Sequence, residues 1–368
     1  MNGCKKTIII SAGGTGGHIF PALAVAAALE SAYNIIWVGG KVGLETTLIP
    51  QYGYKLHPVS VTGVRNKGLF RKLLLPVTMF KALVQSFLIL WRYRPVAIVG
   101  FGGYATFPIA LMGKLFGCSV IIHEQNSVAG LSNRVLSHIA KVVLTAFPGV
   151  LVSKKTFVVG NPVRHSISQV PAPEVRLLPA TTQLRVLVVG GSLGAKALNE
   201  TVPRALATIA GHLAEVVHQV GRGDVAAVTE LYQQAQISAQ VLSFIEDIAA
   251  VYATTDVIIC RAGALTVAEV AAAGVAAIFI PYPAAVDDHQ THNAEYLVKA
   301  AAAILIPQAQ LSVERLATVL AALTPAKCQQ LAIRARHMAL LDSTEQISIL
   351  LASILPAQGH PVNRSIKV

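Results

Sequence analysis

Long apolar runs and charged residues are both scarce in this chain of 368 residues. Charged residues make up 13% of the chain and apolar residues 54%. Even so, no segment supplies the roughly 20 uninterrupted apolar residues that a membrane span needs. The nearest candidate, residues 73–91, contains Pro76, Lys81 and Gln85, and the apolar run near the N-terminus is too short for a signal peptide. The sequence therefore predicts neither a span nor a secretion signal, and its length suits two domains.

Cysteine is also rare, and its spacing excludes two kinds of site. The four cysteines are scattered along the chain without any C-x-x-C pair. This pattern indicates a reducing compartment and neither a disulfide framework nor a zinc site. The chain also lacks an Asp-x-Asp pair, which a metal-chelated nucleotide-diphosphate site would often use. The sequence predicts no metal and no other cofactor.

Acidic residues are few, and the net charge is +12. Nucleic acid is the usual partner of such a charge, but the basic residues form neither an arginine-rich tail nor an aromatic-interleaved strand. The densest group lies in the segment from Arg65 to Arg94, where basic residues flank an apolar stretch. Such flanks fit an anionic membrane surface better than DNA, so no nucleic acid partner is expected. The alternative is an ordinary core helix with a solvated end.

Apolar, β-branched runs alternate with helical stretches throughout the chain. The runs are continuously apolar, which indicates strands buried on both faces, as in parallel sheets covered by helices. The alternation predicts an α/β protein with two doubly wound, Rossmann-like domains. The predicted strands are residues 7–11, 35–38, 96–100, 120–123, 142–145, 157–160, 185–189, 216–220, 256–260 and 276–281.

A domain boundary is predicted after the Gly-Asn-Pro turn at residues 160–162. The proline-rich residues 170–179 look like a linker. We predict an N-terminal domain of residues 1–163 and a C-terminal domain of residues 164–340. A C-terminal helix and a tail follow over residues 341–368, and the end of the tail is expected to be mobile.

Two glycine-rich loops carry most of the functional information. One is GGTGGH at residues 13–18 and the other is GGSLGA at residues 190–195. Each follows a predicted strand and precedes a helical stretch, an arrangement that aims backbone N–H groups and a helix N-terminus at an anion. One such loop is often only structural. Two at matching places in the two halves predict two nucleotide-type domains that face one cleft.

Polar residues follow three predicted strands of the first half. After the first glycine loop come FGGYAT at residues 101–106 and HEQN at residues 123–126. Ligands bind at the carboxyl ends of parallel strands, so the polar side chains there should converge on one site. We expect this of His18, Tyr104, Thr106, Glu124, Gln125 and Asn126.

Glu269, in the RAGALTVAE segment at residues 261–269, allows two interpretations. With Thr266 as N-cap, the Thr-to-Glu spacing completes a capping box, which is a purely structural role. Alternatively, the carboxylate accepts hydrogen bonds from the ribose hydroxyls of a nucleotide, as in dinucleotide sites. Sequence alone leaves both open.

The DDHQTHNA segment at residues 287–294 is the place that suggests a metal. His289 and His292 lie close to two aspartates, but no third ligand has a convincing spacing. The segment stands where a strand hands over to a helix. We instead expect Gln290 and Asn293 to hydrogen-bond a sugar.

Taken together, the motifs resemble those of the MurG family, transferases that add N-acetylglucosamine to lipid I to give lipid II. The resemblance runs from Lys6 to about Leu355, with the motifs in family order. It implies a GT-B fold, two Rossmann-like domains facing a deep cleft, with a C-terminal helix that returns to the first domain. The motifs are GGTGGH with the following PALA, GFGGY, HEQN, GNPVR at residues 160–164, GGSLGA, RAGALTVAE and DDHQTHNA.

The resemblance also implies where the substrates bind. UDP-N-acetylglucosamine would bind mainly to the second domain, and lipid I to the first. Among the residues expected to converge there, we predict that Tyr104, Thr106 and Gln125 contact the acceptor. Peptidoglycan synthesis would then take place peripherally at the cytoplasmic face of the bacterial inner membrane. One departure is Ala284, where related sequences often have histidine, and we assign it no role. The implied donor contacts are Thr15, Gly16, Gly17, Asn126, Arg164, Ser192, Ile245, Ala264, Leu265, Thr266, Val267, Ala268, Glu269 and Gln290.

The implied reaction is an inverting hexosyl transfer, in which an α-linked sugar nucleotide gives a β1,4-linked disaccharide. Without a metal pair, the second glycine loop should hold the departing diphosphate together with Ser192 and Arg164. His18 is the preferred base because imidazole titrates near neutral pH, and Glu124 is the second candidate. In the alternative, His18 only hydrogen-bonds a phosphate or the sugar.

Three other functions stay open at this point. A UDP-N-acetylglucosamine 2-epimerase of the same fold would share the donor but would not use a basic, apolar surface. A nicotinamide-dependent oxidoreductase would need an acidic residue at the end of the second strand, where Gly39 and Gly40 stand. A non-catalytic nucleotide-sugar-binding protein would bind the donor without turnover.

Overall fold

The computed structural model describes residues 5–61, 75–177, 183–191 and 194–355. Within these residues the chain forms two compact units. The first comprises the residues up to Gln125, then Ala129–Pro162 and the residues from Asp342 onward. The second comprises Asn126–Val128 and Val163–Leu341. Each unit is built around its own parallel β-sheet.

The first unit contains a seven-stranded sheet. Its strands are β1 (Thr7–Ala12), β2 (Asn34–Gly40), β3 (Lys55–Val59), β4 (Ala97–Gly102), β5 (Ser119–Glu124), β6 (Val142–Thr145) and β7 (Thr156–Val158). Their order is β3-β2-β1-β4-β5-β6-β7, and all neighbours are parallel. The direction of winding reverses at β1, and ligands bind beyond the carboxyl ends of strands at such a switch point.

The second unit contains a six-stranded sheet. Its strands are β8 (Leu184–Val189), β9 (Leu213–Gln219), β10 (Ala239–Leu242), β11 (Val257–Cys260), β12 (Ala276–Phe279) and β13 (Ala303–Leu305). Their order is β10-β9-β8-β11-β12-β13, again with parallel neighbours. The switch point of this sheet is β8, the strand that precedes the second glycine loop.

Helices connect the strands in both units. Those of the first unit are α1 (Gly16–Leu29), α2 (Glu45–Gln51), α3 (Leu75–Tyr93), α4 (Thr106–Leu115), α5 (Leu131–Ile139) and α15 (Ser343–Ile354). Those of the second are α6 (His165–Ser168), α7 (Pro173–Arg176), α8 (Lys196–Ala207), α9 (Val225–Gln234), α10 (Ile248–Thr254), α11 (Ala264–Ala273), α12 (His289–Val298), α13 (Val313–Ala321) and α14 (Pro325–His337). Short 3₁₀ turns occur at Ala210–His212, Val286–Asp288 and Gln308–Gln310.

Alternate residues of β1 pack on opposite faces of the first sheet. Ile8 and Ile10 lie in one core with α1 and α15, whereas Ile9 lies in a second core with α3, α4 and α5. All three isoleucines are fully buried. A strand covered on both faces is apolar at successive positions, which explains the unbroken apolar run of β1.

The predicted α/β class with parallel sheets is confirmed, and each predicted strand overlaps an observed one. The strands β3, β10 and β13 escape the sequence prediction, and all three lie at the edges of their sheets. An edge strand is covered less completely, so its sequence does not have to be continuously apolar. Lys55–Val59, for example, contains a lysine, a histidine and a proline.

The predicted linker at residues 170–179 is wrong for its described part. Val170 and Leu177 are buried, and α7 packs against α14 of the second unit. The Arg176 guanidinium donates hydrogen bonds to three backbone carbonyl oxygens elsewhere in that unit. Pro173 occupies the first position of α7, where a missing N–H costs no helical hydrogen bond. Pro173 therefore marks a helix start on the second unit.

Candidate active site

The first glycine-rich loop joins β1 to α1 and leaves a helix N-terminus open. Thr15, the N-cap residue of α1, has an extended backbone with φ −137° and makes no side-chain cap bond. Gly14 has φ +88°, a left-handed conformation that residues with a side chain rarely adopt. The first N–H groups of α1 thus form a positively polarised end that suits an anion.

His18 lies in the first turn of α1, with its ring against a neighbouring loop. Its Nδ1 is 3.2 Å from the carbonyl oxygen of Gly13 and 3.5 Å from the Thr15 hydroxyl. Because a carbonyl oxygen only accepts, Nδ1 carries the proton, and Nε2 is then the basic nitrogen of the neutral ring. A Cβ added to Gly102, whose φ is +101°, would lie 3.0 Å from the ring. This glycine therefore lets the ring approach the loop after β4.

Of the three residues expected to bind the acceptor, Tyr104 is exposed and the other two are buried. The Thr106 hydroxyl donates to the carbonyl oxygen of Gly102 at 2.7 Å, and Gln125 Nε2 donates to His123 Nδ1 at 3.0 Å. Burial lowers the pKa of His123 to about 4, so this ring stays neutral. The side chains of Thr106 and Gln125 support the loops and do not reach the surface.

Glu124, the second candidate base, is also buried. One of its carboxylate oxygens accepts hydrogen bonds from the Gly130 N–H at 3.0 Å and from Asn133 Nδ2 at 2.9 Å. Gly130 is the N-cap residue of α5, so the carboxylate satisfies the start of that helix. These contacts give Glu124 a structural role, and His18 is the more accessible of the two candidates.

Glu45 is a candidate site residue that the sequence motifs do not reveal. It lies at the start of α2, and its carboxylate accepts hydrogen bonds from the N–H groups of Gly14 and Gly40. It thereby joins the first glycine loop to the end of β2. One sequence signal could have indicated it: Glu45 is the acidic residue that follows the clustered glycines of residues 39–43. Clustered glycines indicate that another group approaches the backbone closely.

In the second unit, α11 carries the candidate donor residues Ala264 to Glu269. Its N-cap is Gly263, so Thr266 lies inside the helix and the capping-box interpretation of Glu269 is wrong. The reason is that the helix begins three residues earlier than the Thr-to-Glu pattern suggests, because Gly263 has the extended backbone of an N-cap residue. Glu269 is 7% exposed, and its Oε1 accepts a hydrogen bond from Arg164 Nη2 at 3.4 Å.

The surroundings of Glu269 make it a buried hydrogen-bond acceptor. Burial raises the pKa of its carboxyl group, and the Arg164 guanidinium opposes that rise. The buried Cys260 thiol nearby has a pKa raised by burial and by the Glu269 charge, so it stays protonated. A buried carboxylate with one cationic partner can accept further hydrogen bonds, so it suits a ligand that donates them, such as a ribose diol.

Asn126 belongs to the second unit, whereas the other residues expected to converge with it belong to the first. The fully buried Asn293 explains this placement. Its Oδ1 accepts from the Ser127 N–H and hydroxyl at 2.8 and 2.9 Å. Its Nδ2 donates to Asn126 Oδ1 at 3.3 Å and to the Ala262 carbonyl at 3.2 Å. Asn293 thus positions Asn126 beside the start of α11, and its own expected sugar contact is wrong because its side chain has no exposed surface.

Gln290 holds the loop that precedes α12, since its Oε1 accepts from the Tyr282 N–H at 2.9 Å. Its neighbours with metal-ligand chemistry make local contacts. The Thr291 hydroxyl donates to Asp288, and the His289 ring donates to a backbone carbonyl. In the part of the chain that the structure describes, no three His, Cys, Asp or Glu side chains form a group that could hold a metal ion. The metal alternative for this segment therefore has no geometric support.

The second glycine-rich loop, between β8 and α8, packs tightly on the loop after β9. A Cβ added to Gly194 would lie 2.8 Å from the Val220 carbonyl oxygen. A cavity of about 490 Å³ adjoins the loop, and Lys196 and Arg222 are among its lining residues. The acidic Glu200 and Asp224 line the same cavity, and Glu200 forms an ion pair with Lys196. Ser192 lies outside the described residues.

The remaining donor candidates divide between the two units. Thr15, Gly16 and Gly17 form the open end of α1 in the first. In the second, Arg164 is the N-cap residue of α6, and the buried Ile245 lies between β10 and α10. The N-terminus of α1 follows β1, and Ile245 follows β10. Both therefore lie beyond the carboxyl end of a strand, which is where ligands bind to a parallel sheet.

Comparison with known proteins gives matches over nearly the whole chain. Residues 8–145 match the glycosyltransferase family 28 N-terminal domain, and residues 185–347 match the family 28 C-terminal domain. A Neisseria meningitidis serogroup B protein is 47% identical over 345 residues, which is 93% of this chain and 97% of that protein. A Cupriavidus necator protein is 46% identical over 351 residues, 95% and 98% of the two chains. Both are named UDP-N-acetylglucosamine–N-acetylmuramyl-(pentapeptide) pyrophosphoryl-undecaprenol N-acetylglucosamine transferase.

Solved structures give the same picture. The chain is 40% identical to Acinetobacter baumannii MurG, with a TM-score of 0.83 over 95% of this chain and 99% of the other. It also resembles a putative UDP-N-acetylglucosamine 2-epimerase from Listeria monocytogenes, with a TM-score of 0.66 at 11% identity over 95% and 97% of the chains. At so low an identity the second likeness shows the fold alone.

Proposed function

Because this chain belongs to the MurG family of glycosyltransferases, we infer that it transfers N-acetylglucosamine from UDP-N-acetylglucosamine to lipid I. The product is lipid II, for peptidoglycan synthesis. The two α/β units with parallel sheets have the GT-B architecture expected from the motifs. The observation that carries this function is the 47% identity over 93% of the chain to a relative named for this transfer.

Incubation of the protein with radiolabelled UDP-N-acetylglucosamine and a lipid I analogue tests this function. We expect a lipid-linked disaccharide with a β1,4 linkage, as inversion requires. Donor binding without any product would indicate a non-catalytic binding protein. Release of the 2-epimer of the donor sugar would indicate an epimerase.

The first unit argues against a nicotinamide-dependent oxidoreductase. In dinucleotide sites an acidic side chain at the end of the second strand accepts hydrogen bonds from the ribose. Gly39 and Gly40 end β2, and the nearby acidic residue, Glu45, is buried with both its oxygens accepting from backbone N–H groups. The protein itself therefore uses the carboxylate that a dinucleotide would need.

For the donor, we propose that Glu269 accepts hydrogen bonds from the ribose hydroxyls and that Arg164 contacts the diphosphate. The support is the buried Glu269 carboxylate beside an arginine whose side chain is 42% exposed, so that the cation can also reach a ligand. Asn126 is held beside the start of α11 by Asn293. The other proposed donor contacts are Thr15, Gly16, Gly17, Ser192, Ile245, Ala264 to Ala268, and Gln290.

For the chemical step, we propose that His18 Nε2 takes the proton from the attacking hydroxyl of lipid I. The hydroxyl oxygen forms a bond to the anomeric carbon, and the bond to UDP breaks with its electron pair leaving on the diphosphate. Inversion follows from attack on the face opposite the leaving group. The second glycine loop, the N-terminus of α8 and Arg164 would stabilise the charge that develops on UDP. Exposed Tyr104 is the proposed acceptor contact on the first unit.

Turnover is expected not to depend on a divalent metal ion. The proposed charge stabilisation comes from backbone N–H groups and an arginine, which need no bridging cation. Initial rates measured in excess chelator should match those measured with added magnesium. Loss of turnover in chelator, with recovery on adding metal, would contradict this expectation, and Asp287, Asp288 and His289 would then be the first ligands to test.

One face of α3 is apolar and exposed, and we propose that it docks on an anionic membrane surface. The α3 face consists of side chains that are 40–69% exposed, while Ala82, Ser86 and Leu90 on the other side are buried. Spacings of three or four residues place its members on one side of the helix. The members are Val77, Phe80, Val84, Phe87, Leu88 and Trp91.

Aromatic and basic groups surround the α3 face. The Phe87 ring lies 6.1 Å from the Trp91 ring and 5.3 Å from the ring of Phe116, which follows α4. The Arg94 guanidinium lies 5.8 Å from the centre of the Trp91 ring, and Lys81 is exposed on the same helix. Apolar side chains flanked by cations are the combination that binds anionic interfaces. The part of the predicted segment that precedes Leu75 lies outside the described residues.

No helix among the described residues is long and apolar enough to cross a membrane.

We place this contact at the cytoplasmic face of the bacterial inner membrane, as the family resemblance implies. Cys118, Cys260 and Cys328 are free thiols, which fits a reducing compartment. Binding to the bilayer would bring the protein to its lipid-linked acceptor.

Changing Phe80 and Leu88 of the α3 face to serine should weaken binding to anionic vesicles by about 10-fold to 100-fold. Full burial of one such side chain contributes roughly 1.5–3 kcal/mol, and partial insertion contributes less. Vesicle sedimentation measures the effect, and kcat on a short-chain, water-soluble acceptor should stay unchanged. The control replaces Val152 and Val175, which are at least as exposed but lie elsewhere, with serine. Equal vesicle binding by the test and control variants would locate the membrane contact elsewhere.

A further inference from the structure

Glu45 is a buried carboxylate whose hydrogen bonds come from backbone N–H groups. It is 2% exposed. Its Oε2 accepts from the Gly14 N–H at 3.0 Å, and its Oε1 accepts from the Gly40 N–H at 2.9 Å. Among the described residues it forms no ion pair. A buried carboxylate without a cation depends strongly on such hydrogen bonds, because an unsolvated charge is otherwise costly.

Glycines keep the space around this carboxylate clear. A Cβ added to Gly13 would lie 2.5 Å from Glu45 Oε1, and one added to Gly40 would lie 2.8 Å from the same atom. A Cβ on Gly43 would collide with the carboxylate as well. Gly13 and Gly43 belong to the loops after β1 and β2, and Gly40 is the last residue of β2, so both strand ends are shaped around Glu45.

The hydrogen bonds of Glu45 and His18 meet on one peptide group. The peptide that joins Gly13 to Gly14 donates its N–H to Glu45 at 3.0 Å. The carbonyl oxygen of the same peptide lies 3.2 Å from His18 Nδ1, which donates to it. The order is therefore carboxylate, peptide, imidazole. Hydrogen bonds in such a chain polarise one another, so a negative charge at one end strengthens the bond at the other.

We propose that Glu45 is a positioning residue for His18, acting through the Gly13–Gly14 peptide. The carboxylate orients this peptide, and the peptide oxygen fixes the proton of His18 on Nδ1, which leaves Nε2 as the base. The negative charge also stabilises the imidazolium that forms when Nε2 takes a proton. The proposal rests on the proposed role of His18 as base in the transferase reaction.

Other titratable groups near His18 are accounted for by their own contacts. His123 of β5 is fully buried and neutral. Glu124 at the end of β5 accepts hydrogen bonds at the start of α5. Tyr104, in the loop after β4, is exposed. Glu45 is the carboxylate whose hydrogen bonds lead to His18 through a single peptide.

The test variant is Glu45→Gln, which keeps the shape of the side chain and removes its charge. The amide offers one acceptor oxygen in place of two, so one backbone N–H loses its partner. The expected result is a fall in kcat of about 10-fold to 100-fold, as for the loss of a charge-assisted hydrogen bond. The acid limb of the pH profile of kcat/KM should move to lower pH, because this limb reports the ionisation of the base in the free enzyme. The donor dissociation constant should change by less than about twofold.

A second readout does not depend on activity. The imidazole titration of His18, followed by its ¹H–¹⁵N signals, should have its midpoint at lower pH in Glu45→Gln than in the unmodified protein. The sign follows because removing a negative charge disfavours the imidazolium. Glu45→Asp keeps the charge and should shift the midpoint less. Because this measurement needs no substrate, it tests Glu45 even where the transferase assay fails.

Two variants serve as controls. Glu30→Gln removes a carboxylate just beyond the other end of α1, where Glu30 is exposed and accepts from Tyr54. Tyr232→Phe removes one buried hydrogen bond, to His218 in the second unit. We expect neither to move the His18 midpoint. An unchanged His18 titration midpoint in Glu45→Gln would overturn the proposal. A fall in kcat no larger than the fall in the fraction of folded protein would overturn it as well.

Discussion

Replacing His18 with alanine is expected to lower kcat by about 10²-fold to 10⁴-fold, the usual contribution of general acid–base catalysis. The ring is held with Nδ1 toward the Gly13 carbonyl, so Nε2 is the basic nitrogen in the neutral tautomer. Donor affinity should change little, because the proposed ribose and diphosphate contacts, Glu269 and Arg164, belong to the second unit. Steady-state rates with lipid I analogue and a donor titration measure the two quantities separately.

His18→Gln separates a base from a binding residue. Glutamine can still hydrogen-bond a phosphate or a sugar but cannot accept a proton near neutral pH, so its kcat should be as low as that of the alanine variant. His138→Ala, which removes an exposed imidazole from the same unit, is the matched control and should leave kcat unchanged. A collapse of donor binding in His18→Ala, with activity preserved in His18→Gln, would make His18 a binding residue.

Replacing Glu269 with alanine is expected to weaken donor binding by about 10-fold to 150-fold. The change removes charge-assisted hydrogen bonds to the ribose, worth roughly 1.5–3 kcal/mol. Calorimetric titration with UDP measures the effect without the acceptor. Glu215→Ala, which removes an exposed carboxylate of the same unit, should bind UDP normally.

The stability of Glu269 variants should change in the opposite direction to their affinity. Burial raises the folded-state pKa of this carboxyl group, so the folded protein binds the proton more tightly than the unfolded chain does. The ionised group therefore lowers stability progressively as the pH rises from the unfolded pKa through the folded one, and the penalty is complete above it. Glu269→Gln should accordingly raise Tm at neutral pH while it weakens donor binding.

The same shift predicts how donor affinity depends on pH. A ribose donates to the carboxylate, so affinity should fall as the pH drops through the raised pKa of Glu269. In Glu269→Gln this pH dependence should disappear. Unchanged UDP affinity in both variants, with only a loss of thermal stability in Glu269→Ala, would make Glu269 a structural residue.

The fold could be predicted from sequence because local patterns carry it. Continuous apolar runs such as β1 indicate strands covered on both faces, and helices between them require parallel pairing. The edge strands β3 and β10 could not be found in this way, because polar residues interrupt their apolar pattern. The third missed edge strand, β13, is apolar but only three residues long. The Pro-rich residues 170–177 misled for a related reason, since proline at a helix start resembles proline in a linker.

The candidate site was predictable as a set of loops and less so as a set of side chains. The glycine motifs identify where the backbone can approach an anion, and His18 and Glu269 follow from their places in motifs. Whether a polar side chain faces a ligand depends on neighbours distant in sequence. Thr106 and Gln125 satisfy backbone and side-chain groups in the interior, and Asn293 does the same for Asn126 and Ser127.

The sequence by itself determined the α/β class, the two glycine-rich loops and the transferase family, because apolar periodicity, glycine turns and motif order are local properties of the chain. Only the tertiary structure decided which polar groups pair with the protein and which remain for a ligand. Glu45 shows this most clearly, since 31 residues separate it from Gly14, the loop residue whose N–H it holds. Hydrogen bonds of this kind form between elements that packing brings together, and burial makes each of them decisive because an unpaired polar group in the interior is costly.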